Sequence, residues 1–125
     1  MAATHVDIIR DGFIEALRRC EVDGQDSICV SFWVDGLENV WAQANLSTIN
    51  FAYPETIEPL EFLARAGIDV PPEVHLDEWK GAAYATFWYD GIASHAVFVF
   101  VERFLVAVHA LDSERYTITT SFEVL

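Results

Sequence analysis

The chain has 125 residues, with 20 Asp and Glu against 7 Lys and Arg, and a formal net charge of −13 at pH 7. That charge repels nucleic-acid backbones and anionic membranes and attracts basic surfaces, so the expected partner is a basic protein, with no nucleic acid and no membrane. Hydrophobic residues reach 53% and charged residues only 22%, which excludes a disordered acidic tail and suits one folded domain over residues 1–125.

Val6, Ile9, Phe13, Ala16, Leu17 and Cys20 recur at helical spacing, with Asp7, Asp11, Glu15, Arg18 and Arg19 largely on the other side. This predicts an amphipathic helix over 5–21, with Thr4 as N-cap, Asp7 three residues on and Asp23-Gly24 as the break. From Ser27 the period changes to two. Ile28, Val30, Phe32 and Val34 share one face of a strand, with Cys29, Ser31 and Trp33 on the other. Asp35-Gly36 marks a turn, and Val40 to Ala44 reads as a return strand. The segment from Asn45 to Tyr53 reads equally as strand or loop. Thr56 caps a predicted short helix through Leu60, Phe62, Leu63 and Ala66, which Gly67 stops.

Ile68 to Gly81 holds Pro71-Pro72 and no clear period, which predicts an ordered loop carrying Trp79. Beyond it the chain reads as β throughout. Ala83–Trp88 and Ala93–Val101 flank the hairpin signal Asp90-Gly91, and the run Val97-Phe98-Val99-Phe100-Val101 has strand composition. Glu102-Arg103 then reads as a turn, Phe104–Leu111 as a further strand, Asp112-Ser113-Glu114 as another turn and Tyr116–Val124 as the last strand. The expected fold is α+β: a curved, mainly antiparallel sheet of about 5–7 strands with an N-terminal amphipathic helix and a second short helix packed on it.

Chemistry is thinly marked. Cys20 and Cys29 fit neither a disulfide framework nor a zinc motif, and read as reduced thiols. The N-terminal stretch lacks the basic start and apolar core of a signal peptide, so a cytoplasmic location is expected, and no apolar tract is long enough to span a bilayer. No phosphate-binding glycine loop, nucleophile elbow, HExxH or calcium loop occurs, so no cofactor and no metal are expected. His75 with Asp77 and Glu78 reads as a solvated acidic loop. His95 and His109 read as sheet residues on adjacent strands, and no residue is singled out as catalytic.

The aromatic content, 14% with four Trp, is more informative. Strands 27–34 and 83–89 are apolar or aromatic on both faces: Trp33 opposes Phe32 and Val34, while Tyr84 and Trp88 oppose Phe87 and Tyr89. Either the sheet encloses both faces, or one face is a binding surface or homodimer interface anchored by Trp and Tyr within a carboxylate rim. The favoured function is a non-enzymatic acidic protein-binding module that docks on a basic partner and neutralises it. Immunity proteins for secreted bacterial toxins are similar in size and composition. The expected contacts are Asp35, Glu38, Asp77, Glu78 and Asp90, with Trp79, Trp88 and Tyr89. Type III secretion chaperones are similar in being small, acidic, α+β and usually dimeric with an amphipathic first helix; the order predicted here departs from theirs in ending in strands without a C-terminal helix. That likeness gives a second expectation, an adaptor holding apolar segments of a client. A small α+β enzyme with an apolar pocket and a buried carboxylate or histidine base is the third.

Overall fold

Helix α1 (His5–Asp23) begins where Thr4 and Asp7 cap each other reciprocally: the Asp7 amide donates to Thr4 Oγ1 at 3.1 Å and the Thr4 amide to Asp7 Oδ2 at 3.2 Å. It ends at Gly24, whose φ of 70° is the left-handed conformation that a helix stop favours. The computed structural model describes residues 4–24, 27–112 and 115–124; the turn expected at Ser113-Glu114 lies outside them. Ile9, Gly12, Phe13 and Ala16 form the buried stripe of α1. Gly12 is required there, because an added Cβ would lie 2.5 Å from Phe32 Cε1.

Strands β1 (Ile28–Val34) and β2 (Trp41–Ala44) pair as the period-two reading expects, with Trp33 directly opposite Trp41. The ambiguous stretch resolves into a turn and strand β3 (Thr48–Tyr53). Asn45 Oδ1 accepts from the Ser47 and Thr48 amides at 2.8 Å each, fixing that turn. Helix α2 (Pro59–Arg65) is capped by Glu58, not Thr56: the Glu58 carboxylate takes the Leu60 and Glu61 amides, and Pro59 occupies the first turn.

Two expectations fail. The segment expected as a loop contains strand β4 (Val74–Lys80), which pairs with β5 (Ala83–Tyr89); a bulge between Leu76 and Glu78 breaks the alternation and hides the strand from a period-two search. The larger correction is helix α3 (His95–His109), which replaces the strands expected over 93–101 and 104–111 and the hairpin at Asp90-Gly91. Its buried residues Val97, Phe98, Phe100, Val101, Phe104, Leu105 and Val108 recur at i, i+1, i+3, i+4, i+7, i+8 and i+11, one helical face. Glu102-Arg103 is a mid-helix step rather than a turn. His95 and His109 are therefore the two ends of one helix, about 21 Å apart along its axis. Strand β6 (Ile118–Val124) closes the chain, starting two residues later than expected.

The strands form one open antiparallel sheet in the order β4-β5-β3-β2-β1-β6, so the α+β class and strand count hold. The three helices lie on one face. Gly12 of α1 seats on Val30 and Phe32, Phe104 of α3 stacks on Phe51 at 3.9 Å, and Phe62 of α2 meets Tyr53 edge-on. Between helices and sheet lies the core: Phe32, Phe51, Phe87, Phe100 and Phe104 are each at most 2% exposed. Burial of each such side chain stabilises by about 1.5–3 kcal/mol. The wholly antiparallel ladder allows the sheet's second face to meet solvent.

Candidate functional site: the open face of the sheet

Register decides which side chains share the second face. Residues paired across antiparallel strands point the same way, and alternate residues point oppositely. Opposite the core positions lie Cys29, Ser31 and Trp33 on β1, Trp41 and Gln43 on β2, Thr48, Asn50 and Ala52 on β3, and Tyr84, Thr86 and Trp88 on β5. Among the described residues no helix contacts this face through the core clusters above. Three of the chain's four tryptophans stand on it. Trp33 is 36% and Trp88 40% exposed, while Trp41 and Tyr84 are half-buried.

Two features order this face. One row of paired positions runs polar across the whole sheet: Glu78, Thr86, Asn50, Gln43, Ser31 and Ser121. Thr86 Oγ1 donates to Asn50 Oδ1 at 2.9 Å within it. Beside the row, Trp33 donates its indole N–H to Ser121 Oγ at 3.1 Å, and Trp88 stacks on His75 with 4.1 Å between ring centroids. His75 in turn bonds Asp90 through Nε2 at 3.0 Å. The second feature is charge. No side chain on this face of the four central strands is charged; Glu78 and Lys80 on β4 and Glu123 on β6 confine charge to the edge strands. In a chain with 27 charged residues (20 acidic and 7 basic), this face thus has an aromatic, uncharged centre and a charged rim.

The residues singled out in the sequence divide into three groups. Trp88, Asp90, Asp77 and Glu78 gather at the β4–β5 edge, where all but Trp88 are acidic and all are exposed. Asp35 and Glu38 sit at the β1–β2 turn near the other edge, four strand spacings away, about 19 Å. Asp35 accepts from Thr117 Oγ1 at 2.6 Å and Thr119 Oγ1 at 2.5 Å, and these bonds hold its carboxyl below the usual aspartate range. Trp79 and Tyr89 point to the helical side. Trp79 packs edge-on to Tyr53; Tyr89 is 5% exposed and donates its hydroxyl to the Asn45 carbonyl at 2.9 Å. Burial pushes the Tyr89 hydroxyl up to about 12, so it stays a neutral donor. Trp33, Trp41, Tyr84 and, apart from Glu78, the polar row were not selected from the sequence. The signal for them was the two-sided patterning of 27–34 and 83–89, whose significance depends on all helices packing on one side.

Burial also shifts titratable groups in the interior. Burial raises the Cys29 thiol and lowers the His109 imidazole, whose Nε2–H donates to the Ala52 carbonyl at 3.1 Å. Cys20 and Cys29 are both free thiols. A cavity of about 70 Å³ between α1 and the 45–46 and 91–93 loops is lined by Phe13, Ile14, Leu17, Ile92 and Phe98, with Tyr89 its one titratable neighbour. That is below the roughly 300–1,000 Å³ of small-molecule sites, a range that open surface grooves of about 340–370 Å³ elsewhere on the molecule do reach. Among the described residues no three His, Cys, Asp or Glu gather as a metal site, and no helix is long and apolar enough to cross a membrane.

The arrangement defines an α+β domain with one helix-covered and one open, aromatic sheet face. No protein-family model, curated protein or solved structure matches this chain.

Proposed function

We propose that the chain is a protein-binding module whose open sheet face docks on a basic protein and neutralises it. The observation that carries this reading is the separation of charge from aromatics: an uncharged centre holding Trp33, Trp41, Trp88 and Tyr84, inside a molecule of net charge −13. The carboxylates steer the encounter at long range, and the aromatic centre supplies the desolvated contact that holds the complex. Trp88 is a pre-ordered anchor, because the His75–Asp90 pair fixes the ring it stacks on. Pre-ordering lowers the entropy lost on binding.

The test is a salt-stepped capture from host lysate on the immobilised chain, repeated with Trp88→Ala and with Thr86→Glu. The expected result is one dominant basic protein, released by salt, whose affinity Trp88→Ala weakens by about 30-fold, the hot-spot scale of roughly 2 kcal/mol. Capture unchanged by both face variants overturns the reading.

A second reading, an adaptor for apolar client segments, draws on the same uncharged aromatic face. The expected departure from the type III secretion chaperones, an order ending in a strand without a C-terminal helix, remains, because β6 follows α3. This reading predicts capture of several unrelated extended segments with weak salt dependence.

A further inference from the structure

The two edges of the sheet are built differently. The β4 edge is guarded: it carries Asp77, Glu78 and Lys80, a bulge breaks it, and α2 packs beside it. These are devices that stop a sheet from recruiting another strand. The β6 edge has no bulge, although α1 packs beside it with Arg19 over the Phe122 ring. Its seven residues pair with β1 in unbroken register, without proline or bulge, and only Glu123 is charged.

Hydrogen-bond phase shows which groups that edge offers. The Asp35 amide donates to the Thr117 carbonyl at 3.0 Å, in line with the β1–β6 register. Hydrogen-bonding residues alternate along an antiparallel pair. Thr119, Ser121 and Glu123 therefore turn their N–H and C=O groups toward β1, while those of Ile118, Thr120, Phe122 and Val124 face outward. An open row of such backbone groups along a sheet edge is a template for another strand.

We infer that the occupant is a second copy of this chain, joined by antiparallel β6–β6 pairing about a twofold axis at Ser121. Outward-facing residues must meet outward-facing residues, and the axis at Ser121 is the one that pairs all seven. It sets Ile118 against the second copy's Val124, Thr120 against its Phe122, and Thr119 against its Glu123. Apolar residues then meet on the helical side and polar ones on the open side. Val124, 59% exposed in the single chain, gains an apolar neighbour. Beside β6 on the helical side, an open groove of about 270 Å³ is lined by Ile8, Asp11, Gly12, Glu15, Thr120 and Phe122. The second copy's Phe122, opposite Thr120, stands at its mouth. The two Glu123 carboxylates are four residues apart along the joined strands, roughly 13 Å, beyond the screening length of about 8 Å at physiological salt. Because each copy carries −13, salt strengthens this association, whereas it weakens docking on a basic protein. The inference does not depend on the reading of the open face.

The experiment combines sedimentation velocity with residue-resolved amide exchange on the full chain over a dilution series, at low and raised salt. The expected result is a dimer favoured by concentration and salt. On dilution, exchange at Ile118, Thr120, Phe122 and Val124 rises by at least about tenfold while Thr119, Ser121 and Glu123 stay protected. Thr120→Pro removes an outward N–H that β1 does not use, so it gives a folded monomer. A monomer at every concentration and salt overturns the inference. So does a dimer whose four outward amides exchange freely, or one that folded Thr120→Pro leaves intact. If Thr120→Pro does not fold, the exchange pattern of the unmodified chain decides alone.

Discussion

Replacing Gly12 by Ala sets two effects of opposite sign against each other. Helix propensity alone favours the change by about 1 kcal/mol. Against it, the new methyl would lie 2.5 Å from Phe32 Cε1, 2.7 Å from Cζ and 3.2 Å from Val30 Cγ2. Carbon contacts settle near 3.5–4 Å, so α1 must retreat from β1 by roughly 1 Å or the ring must turn. Phe32 has no room to turn: it is 1% exposed and packed against Phe13 at 5.8 Å between centroids. Overpacking a filled core costs about 1–3 kcal/mol, and two ring atoms well inside contact distance put this site in the upper part of that range. The net expectation is a loss of about 1–2 kcal/mol, which for a chain of this length lowers the midpoint by roughly 4–8 °C. Calorimetry and urea unfolding of both proteins measure it. A Gly12→Ala protein as stable as the parent, or more stable, would refute the close seating of α1 on β1.

Ala110 ends α3 in the left-handed region at φ 51°, where a side chain with a Cβ is strained. Ala110→Gly should raise the thermal midpoint by about 4 °C, from roughly 1 kcal/mol of relieved strain; no rise in a thermal melt would count against this termination of the helix. His109 is half-buried, and desolvation holds it below its ordinary 6.5 despite its bond to Ala52. The unfolded chain then binds the proton first, so its contribution to stability is complete above pH 6.5 and is lost as pH falls from there toward the folded value. Urea unfolding at stepped pH should show this slope in the parent and its reduction in His109→Gln; equal slopes would contradict the burial. Asp35 is depressed by Thr117 and Thr119, so its contribution is present above about pH 3.8 and lost as pH falls through its folded value. Asp35→Asn should flatten that acid limb of the same titration, and an unchanged limb would argue against the two threonine bonds.

The elements most legible in the sequence were those whose local signals agree with their tertiary environment. α1 has a cap, a stripe and a glycine stop that all point to a helix, and β1 alternates cleanly up to Asp35-Gly36. α3 was misread because its residues are locally strand-like. Val97, Phe98, Val99, Phe100 and Val101 favour extended backbone in isolation, and Glu102-Arg103 resembles a turn. The fold overrides this by packing the helix against both α1 and the sheet, where bulky side chains fill space. The helical spacing of the buried set was present in the sequence, but the shorter-range composition outweighed it. β4 was missed because a bulge and the preceding Pro71-Pro72 disrupt alternation, and its pairing with β5 is a property of the hairpin rather than of the segment. The open face was half legible: the doubled aromatic patterning was visible, but its meaning depended on where the helices went. The sequence points instead to carboxylates in predicted loops and to the aromatics beside them, Trp79 and Tyr89 included, and adjacency in sequence does not say that both turn to the helical side.

Hydroxyl-radical footprinting of the side chains, with and without the captured basic protein, tests the central claim most directly. The account predicts that Trp33 and Trp88, 36% and 40% exposed in the free chain, become protected together at saturation. Ile14 and Leu60 on the helical side, also exposed, should keep their reactivity. If the two tryptophans remain reactive while the helical side is shielded, the open sheet face is not the docking surface.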